Sequence, residues 1–85
     1  MKTRTAHKVD ELDLVVLTRD IPGEGLRRGD VGTVVHRYAE GRAFEVEFAT
    51  AAGSTIAVLT LGPDDIRPLG GQDLLHIREY GRATV

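Results

Sequence analysis

The chain has 85 residues, of which 41% are hydrophobic and 28% charged, and its formal net charge is −2. This balance is typical of one small globular domain and excludes a disordered chain. It contains no cysteine, which excludes disulfides, thiolate metal sites and cysteine catalysis. The slight acidic excess argues against general binding to nucleic acids, because proteins that bind polyanions usually carry a basic excess.

Residues 1–10 are polar and of mixed charge, which predicts a flexible N-terminus. They lack the apolar segment of a signal peptide. No apolar run approaches the roughly 20 residues that a membrane span needs. Together with the lack of disulfide-forming residues, these features predict a cytoplasmic protein without a membrane partner.

The first predicted strand is "LDLVVLT", residues 12–18. A loop follows over residues 20–30, "DIPGEGLRRGD", because three glycines and a proline favour turns. We expect Gly23, after Pro22, to take the positive φ of a type II turn. Ile21 and Leu26 are apolar residues in this polar loop, and we expect them to fold back onto the end of the core.

Three further strands are predicted from β-branched residues and alternation. The segment "VGTVVHRY", residues 31–38, carries a glycine at position 32, which indicates a bulge or a close approach of two backbones. In "AFEVEF", residues 43–48, the apolar residues alternate with glutamates, which predicts one buried and one solvent-facing side. The segment "TIAVLTL", residues 55–61, is apolar on both faces, so we expect a central or covered strand.

Residues 62–69 predict a short 3-10 turn near positions 63–66, capped by Asp64 or Asp65, and then a short last strand. The fold class is therefore all-β: a small SH3-like barrel of about five strands with a long first loop, over residues 11–69. We expect its interior to be filled, with no cavity for chemistry. Residues 70–85 form a C-terminal extension, for which a short helix, a short strand and a mobile tail remain open.

Four segments match a known family in order and spacing. They are "DIP" at residues 20–22, "GLRRGDVGTVV" at 25–35, "AFEVEF" at 43–48 and "DDIRPL" at 64–69. Residues 11–69 resemble the bacterial family catalogued as domain of unknown function 4926. The resemblance implies an SH3-like small barrel, no catalytic motif, and an association with small toxins or nucleases as an antitoxin or immunity partner.

A shorter similarity links the chain to the KOW motif of ribosomal and transcription proteins, in which a Gly-Asp turn leads into a Gly-x-Val strand. The matching residues are Gly29, Asp30, Gly32 and Val34. The similarity implies binding to RNA or DNA. The candidate phosphate contacts are the arginines of the loop and of the second strand and its hairpin, next to a tyrosine that can stack a base: Arg27, Arg28, Arg37, Arg42, His36 and Tyr38.

Acidic residues close to these arginines in sequence, Glu24, Asp30 and Glu40, weaken that interpretation. We therefore predict a non-enzymatic protein-binding module, with a KOW-like nucleic-acid module or an accessory barrel of an enzyme complex as alternatives. Small barrels bind other chains in loop grooves or along open strand edges, and a second copy is one such chain. The predicted partner-binding residues lie in the first loop, at a tyrosine expected beside it, and in the tail: Glu24, Leu26, Arg27, Arg28, Tyr38, Leu74, Leu75, Ile77 and Tyr80.

No cofactor or metal site is predicted. His7, His36 and His76 are far apart in sequence, whereas metal ligands usually include two that are close. No hydroxyl residue has a nearby histidine and acid to activate it. No glycine-rich segment stands between a strand and a helix, as a phosphate loop requires. The sequence therefore predicts no catalytic residue.

Overall fold

The computed structural model describes residues 9–70 and contains one antiparallel sheet of five strands in the order β4-β3-β2-β1-β5. Two short 3-10 helices interrupt the connections, and within residues 9–70 no helix is long and apolar enough to span a bilayer. The strands are β1, Leu14–Leu17; β2, Val31–Tyr38; β3, Ala43–Ala49; β4, Thr55–Leu61; and β5, Ile66–Pro68. The first 3-10 helix is Pro22–Glu24 and the second is Pro63–Asp65.

The all-β prediction with about five strands, a long first loop and a 3-10 turn near residues 63–66 is confirmed. β2 and β4 begin and end where the sequence predicts, and β3 is one residue longer. β1 begins two residues later than predicted, since Leu12 has a φ of 73° and is 80% exposed. A left-handed φ interrupts the extended backbone, so the strand begins at Leu14, although the N–H of Leu12 and the carbonyl of Asp13 still bond to Val34 of β2.

The core lies on one face of the sheet. The alternation in β3 predicts it correctly, since Phe44, Val46 and Phe48 are buried while Glu45 and Glu47 are half-buried on the opposite face. Ile21, Leu59 and Val9 pack against its margin. The buried apolar residues of the core are Val15, Leu17, Leu26, Val34, Phe44, Val46, Phe48, Leu61 and Ile66.

β4 occupies a different place from the one predicted. It lies at the edge of the sheet and, among residues 9–70, pairs only with β3. Ile56 and Val58 are 36% and 47% exposed on the outer face, while Leu61 is buried on the inner face. The prediction of a central or covered strand was wrong because apolar residues on both faces do not determine how many neighbours a strand has.

Hydrogen bonding does not run all the way around the sheet. β5 pairs with β1 and β4 pairs with β3, and no β4–β5 ladder exists among the described residues. A cleft of about 290 Å³ opens at one end of the sheet, where Phe44 and Ile66 form part of its wall. This cleft opens at the surface beside the core, and the expectation that the interior has no cavity for chemistry stays a prediction.

The first loop folds back as expected, because Ile21 and Leu26 form an isolated antiparallel bridge and Leu26 is only 1% exposed. The turn between them differs from the prediction. Residues 22–24 form a 3-10 helix, and the positive φ of 71° falls on Gly25 instead of Gly23. Because the 3-10 helix occupies residues 22–24, the residue with a left-handed φ comes two positions later than predicted.

The folded unit includes two residues that the sequence assigned to a flexible N-terminus. Val9 packs against the core, and the backbone N–H of Asp10 donates to the carboxylate of Asp13 at 2.8 Å. Residues 1–8 lie outside the described residues, as do residues 71–85. The predictions for the tail, including Leu74, Leu75, Ile77 and Tyr80, fall there.

Candidate functional site

The corner that leads into β2 is held by two carboxylates. Asp30 is 4% exposed, and its side chain accepts a hydrogen bond from the backbone N–H of Arg27 at 2.9 Å. The side chain of Asp20 accepts from the backbone N–H of Arg28 at 2.8 Å. Gly29, with a φ of 94°, provides the left-handed residue that the turn requires. The Gly-Asp pair thus has a structural role in turning the chain.

The loop residues predicted to bind a partner divide into two groups. Glu24, Arg27 and Arg28 are exposed, and Arg27 borders a shallow depression shared with Asp20 and Pro22. Leu26 instead places its side chain in the core. Leu26 is only 1% exposed but also lines that depression, so its assignment to a contact surface stays a prediction.

Tyr38 does not lie beside this loop. The loop enters β2 at Val31, whereas Tyr38 is the last residue of that strand. An eight-residue strand separates its ends by about 20 Å. For the same reason Arg27 and Arg28 lie at one end of β2, and the remaining two candidate arginines, at positions 37 and 42, lie at the other. The structure therefore separates the predicted phosphate-binding patch into two pairs.

The environment of Tyr38 is acidic. Its hydroxyl donates to the carboxylate of Glu45 at 3.3 Å, and the hydroxyl of Thr60 donates to the same carboxylate at 2.7 Å. The negative charge of Glu45 raises the pKa of Tyr38 above its usual value. The ring of Tyr38 lies edge-on to His36, whose Nδ1 is 3.3 Å from Glu11. An anionic ligand would meet repulsion on this face.

The described part of the chain is acidic as a whole. Residues 9–70 contain six arginines, no lysine and eleven aspartates or glutamates, which gives a net charge of −5. Among these residues no three His, Asp or Glu side chains converge in a way that could hold a metal ion. The electrostatics favour a basic or neutral ligand over a polyanion.

The outer face of the sheet carries a surface that the sequence analysis missed. One row of paired positions crosses the sheet, and it runs from Leu14 through Thr33 and Glu47 to Val58. Leu14 and Val58 are each 47% exposed. Ile56 adds a second exposed aliphatic side chain to β4. The signal for this surface was present in residues 55–61, which include no charged residue, although edge strands usually carry one.

Comparison with known proteins agrees with the sequence resemblance. The model of the family described as "Domain of unknown function (DUF4926)" matches residues 11–68. The chain belongs to that family. The DUF4926 match extends from just before β1 to the end of β5 and so covers the whole sheet. Neither the curated proteins nor the solved structures gave a match.

Proposed function

We propose that this DUF4926 protein is a non-enzymatic protein-binding module that accepts an extended segment of a partner along the free edge of β4. One observation carries the proposal: β4 is a seven-residue edge strand without charge or proline, and its outer face exposes two aliphatic side chains. An edge strand offers unpaired N–H and C=O groups that another strand can pair with.

The opposite edge of the sheet differs from β4 in length and in composition. β5 has only three residues, and these include Arg67 and Pro68. Short length, charge and proline are common means by which proteins prevent edge-to-edge association. Since β4 has none of these protections, the two edges are not equivalent, and β4 is the edge suited to binding.

The chemistry of the partner follows from the surroundings of β4. A strand that pairs with β4 places alternate side chains beside Ile56 and Val58, which favours aliphatic residues there. Two copies of this chain would bring two folded units of charge −5 together, which opposes self-association. We therefore assign the occupant as an extended, aliphatic segment of a different, basic protein. Neutralisation of a toxin is the particular form of such binding that the family resemblance suggests.

Two valine-to-lysine variants test the proposal with the same change of charge. Val58→Lys places a charge on the β4 edge, and Val35→Lys places it at a similarly exposed valine, 42% instead of 47%, within β2. Proteins captured by the wild-type chain from its native cells are identified, and each is expressed and tested as a purified partner in equilibrium titrations. We expect a basic partner whose affinity falls by about tenfold or more in V58K, consistent with losses at interface centres, but not in V35K.

Three results would overturn the proposal. In the first, no captured protein binds after purification. In the second, V58K and V35K weaken binding equally, which would place the contact elsewhere. In the third, sedimentation of the chain alone shows a dimer that V58K disrupts, which would make a second copy the occupant.

A further inference from the structure

A second candidate binding site is the cleft at the end of the sheet, and its chemistry differs from that of the β4 edge. The cleft measures about 290 Å³, which is near the lower end of the range for small-molecule sites. Phe44 and Ile66 line it from the core, and Pro63 and Pro68 add to the apolar wall. The polar lining residues are Arg37, Glu40 and Arg67.

Arg37 is the unusual residue of this cleft. Its Nε atom is buried and has no hydrogen-bond partner, and neither ion pair found within residues 9–70 includes this guanidinium. A buried donor without a partner costs free energy, and a ligand that supplies an acceptor to this guanidinium would recover part of that cost. A guanidinium carries five N–H donors arranged to pair with a planar anion.

The backbone at Gly41 shows that the charge and an aromatic ring share one wall. A Cβ atom added to Gly41 would lie 3.7 Å from Nε of Arg37 and 3.7 Å from Cζ of Phe44. The guanidinium and the ring therefore border the same small space, which glycine leaves open. A ligand in that space would meet an anion-binding group and an apolar surface at once.

We propose that this cleft binds a carboxylate attached to a compact apolar body. Arg37 binds the carboxylate, and Phe44 and Ile66 contact the apolar body. A carboxylate carries one negative charge and matches the planar fork of a guanidinium. A phosphate dianion fits less well, because the carboxylate of Glu40 lines the same cleft and would repel the second charge. Free organic acids and peptide C-termini share this chemistry.

Four probes separate these ligand classes in amide proton–nitrogen NMR titrations of the full chain. N-acetyl-leucine represents a peptide C-terminus, isocaproate represents a free acid with the same isobutyl group, N-acetyl-leucinamide lacks the carboxylate, and inorganic phosphate lacks the apolar body. We expect saturable shifts at Gly41 and Phe44 with the two acids. Affinity for the amide should be lower by about tenfold or more, as expected for a lost charge-assisted hydrogen bond.

Arg37→Gln removes the guanidinium that is proposed to bind the carboxylate. Arg42→Gln is the matched control, because Arg42 is an exposed arginine on the same hairpin. R37Q should lower the affinity for both acids by about tenfold or more, while R42Q leaves it unchanged. Tighter binding of N-acetyl-leucine than of isocaproate assigns the site to peptide C-termini, and the reverse order assigns it to free acids.

The proposal is overturned if the acids give no saturable shift at the cleft, or if acid and amide bind equally. It is also overturned if phosphate binds more tightly than either acid, or if R42Q and R37Q have the same effect. The acid–amide comparison uses the unaltered protein, so it decides the question even if R37Q fails to fold. Val58 does not line this cleft, so the result of these titrations does not depend on the function proposed for β4.

Discussion

Gly32 of β2 lies so close to Val46 of β3 that the two residues leave no space for another carbon atom. A Cβ at Gly32 would stand 2.6 Å from Cγ1 of Val46 and 2.7 Å from Cε1 of Phe48. Both neighbours are fully buried. The glycine thus allows β2 to curl tightly over the core side chains of β3, as the sequence analysis expected of a glycine within a strand.

The first prediction concerns this contact. Gly32→Ala should lower the free energy of unfolding by about 1–3 kcal/mol, because the new methyl group must displace core atoms. Gly23→Ala is the control, since nothing lies within 4 Å of a Cβ added there. It should change stability by less than about 0.5 kcal/mol. Chemical denaturation of both variants measures the difference, and equal stabilities would contradict the packing described.

The second prediction separates structure from binding in the first loop. Leu26→Ala should reduce stability by about 2–5 kcal/mol, the usual range for loss of a buried leucine side chain. Arg27→Ala, at the next residue, changes an exposed side chain and should have an effect within about 0.5 kcal/mol. Urea denaturation provides the test. If L26A were as stable as the wild type, Leu26 would not be part of the core.

The third prediction concerns acid stability. Nε of Arg19 donates to Oδ1 of Asp65 at 2.8 Å, and the N–H of Gly62 donates to Oδ2 at 2.9 Å. The hydrogen bond from Arg19, and then that from Gly62, lowers the pKa of Asp65. A carboxyl whose pKa is lower in the folded state than its unfolded value of about 3.9 stabilises the fold above that pH. This contribution is lost as the pH falls through the lower, folded pKa.

The variant Asp65→Asn lacks this titration. The stability advantage of the wild type over D65N should therefore be constant above about pH 5 and shrink as the pH falls below about 4. Arg19→Gln should reduce this dependence but leave part of it, because the N–H of Gly62 remains. Denaturation curves across the acid range measure both effects. A difference between wild type and D65N that does not vary with pH would contradict the assignment.

The fourth prediction concerns nucleic acids. The two arginine pairs lie at opposite ends of β2, and residues 9–70 have a net charge of −5, so we expect no tight binding to RNA or DNA. Fluorescence anisotropy with labelled single-stranded RNA and duplex DNA at low and physiological salt tests this. Tight binding at low salt that weakens steeply with salt, and that Arg27→Gln and Arg28→Gln reduce, would support the KOW-like alternative instead.

Sequence alone located most of the strands because the signals are local. The alternation of Phe44, Val46 and Phe48 with glutamates identifies the buried face of β3, and glycines mark the connections. The position of β4 at the edge was not predictable in this way, since the order of strands depends on pairing between distant segments. The separation of Tyr38 from the first loop, in contrast, was already implied by the predicted length of β2, because Tyr38 is the last residue of that strand.

The cleft was equally inaccessible from sequence. Arg37 and Ile66 are distant in the chain, and the pairing of β5 with β1 places residues 66–68 near the β2–β3 hairpin. The burial of Leu26 was foreseen from its apolar character within a polar loop. Its assignment to a binding surface stays a prediction, since Leu26 belongs to the core and also lines the depression at the first loop.

Hydrogen exchange of the β4 amides in the isolated full-length protein tests the central claim most directly. In an antiparallel edge strand, alternate N–H groups bond to the neighbouring strand while the others face solvent. We expect slow and fast exchange to alternate along residues 57–61, beyond the bulge at Ile56 where the pairing with β3 shifts, whereas the amides of residues 44–47 in β3, which pair with strands on both sides, are slow. Uniformly slow exchange along β4 would show that its free edge is already occupied and would contradict the account.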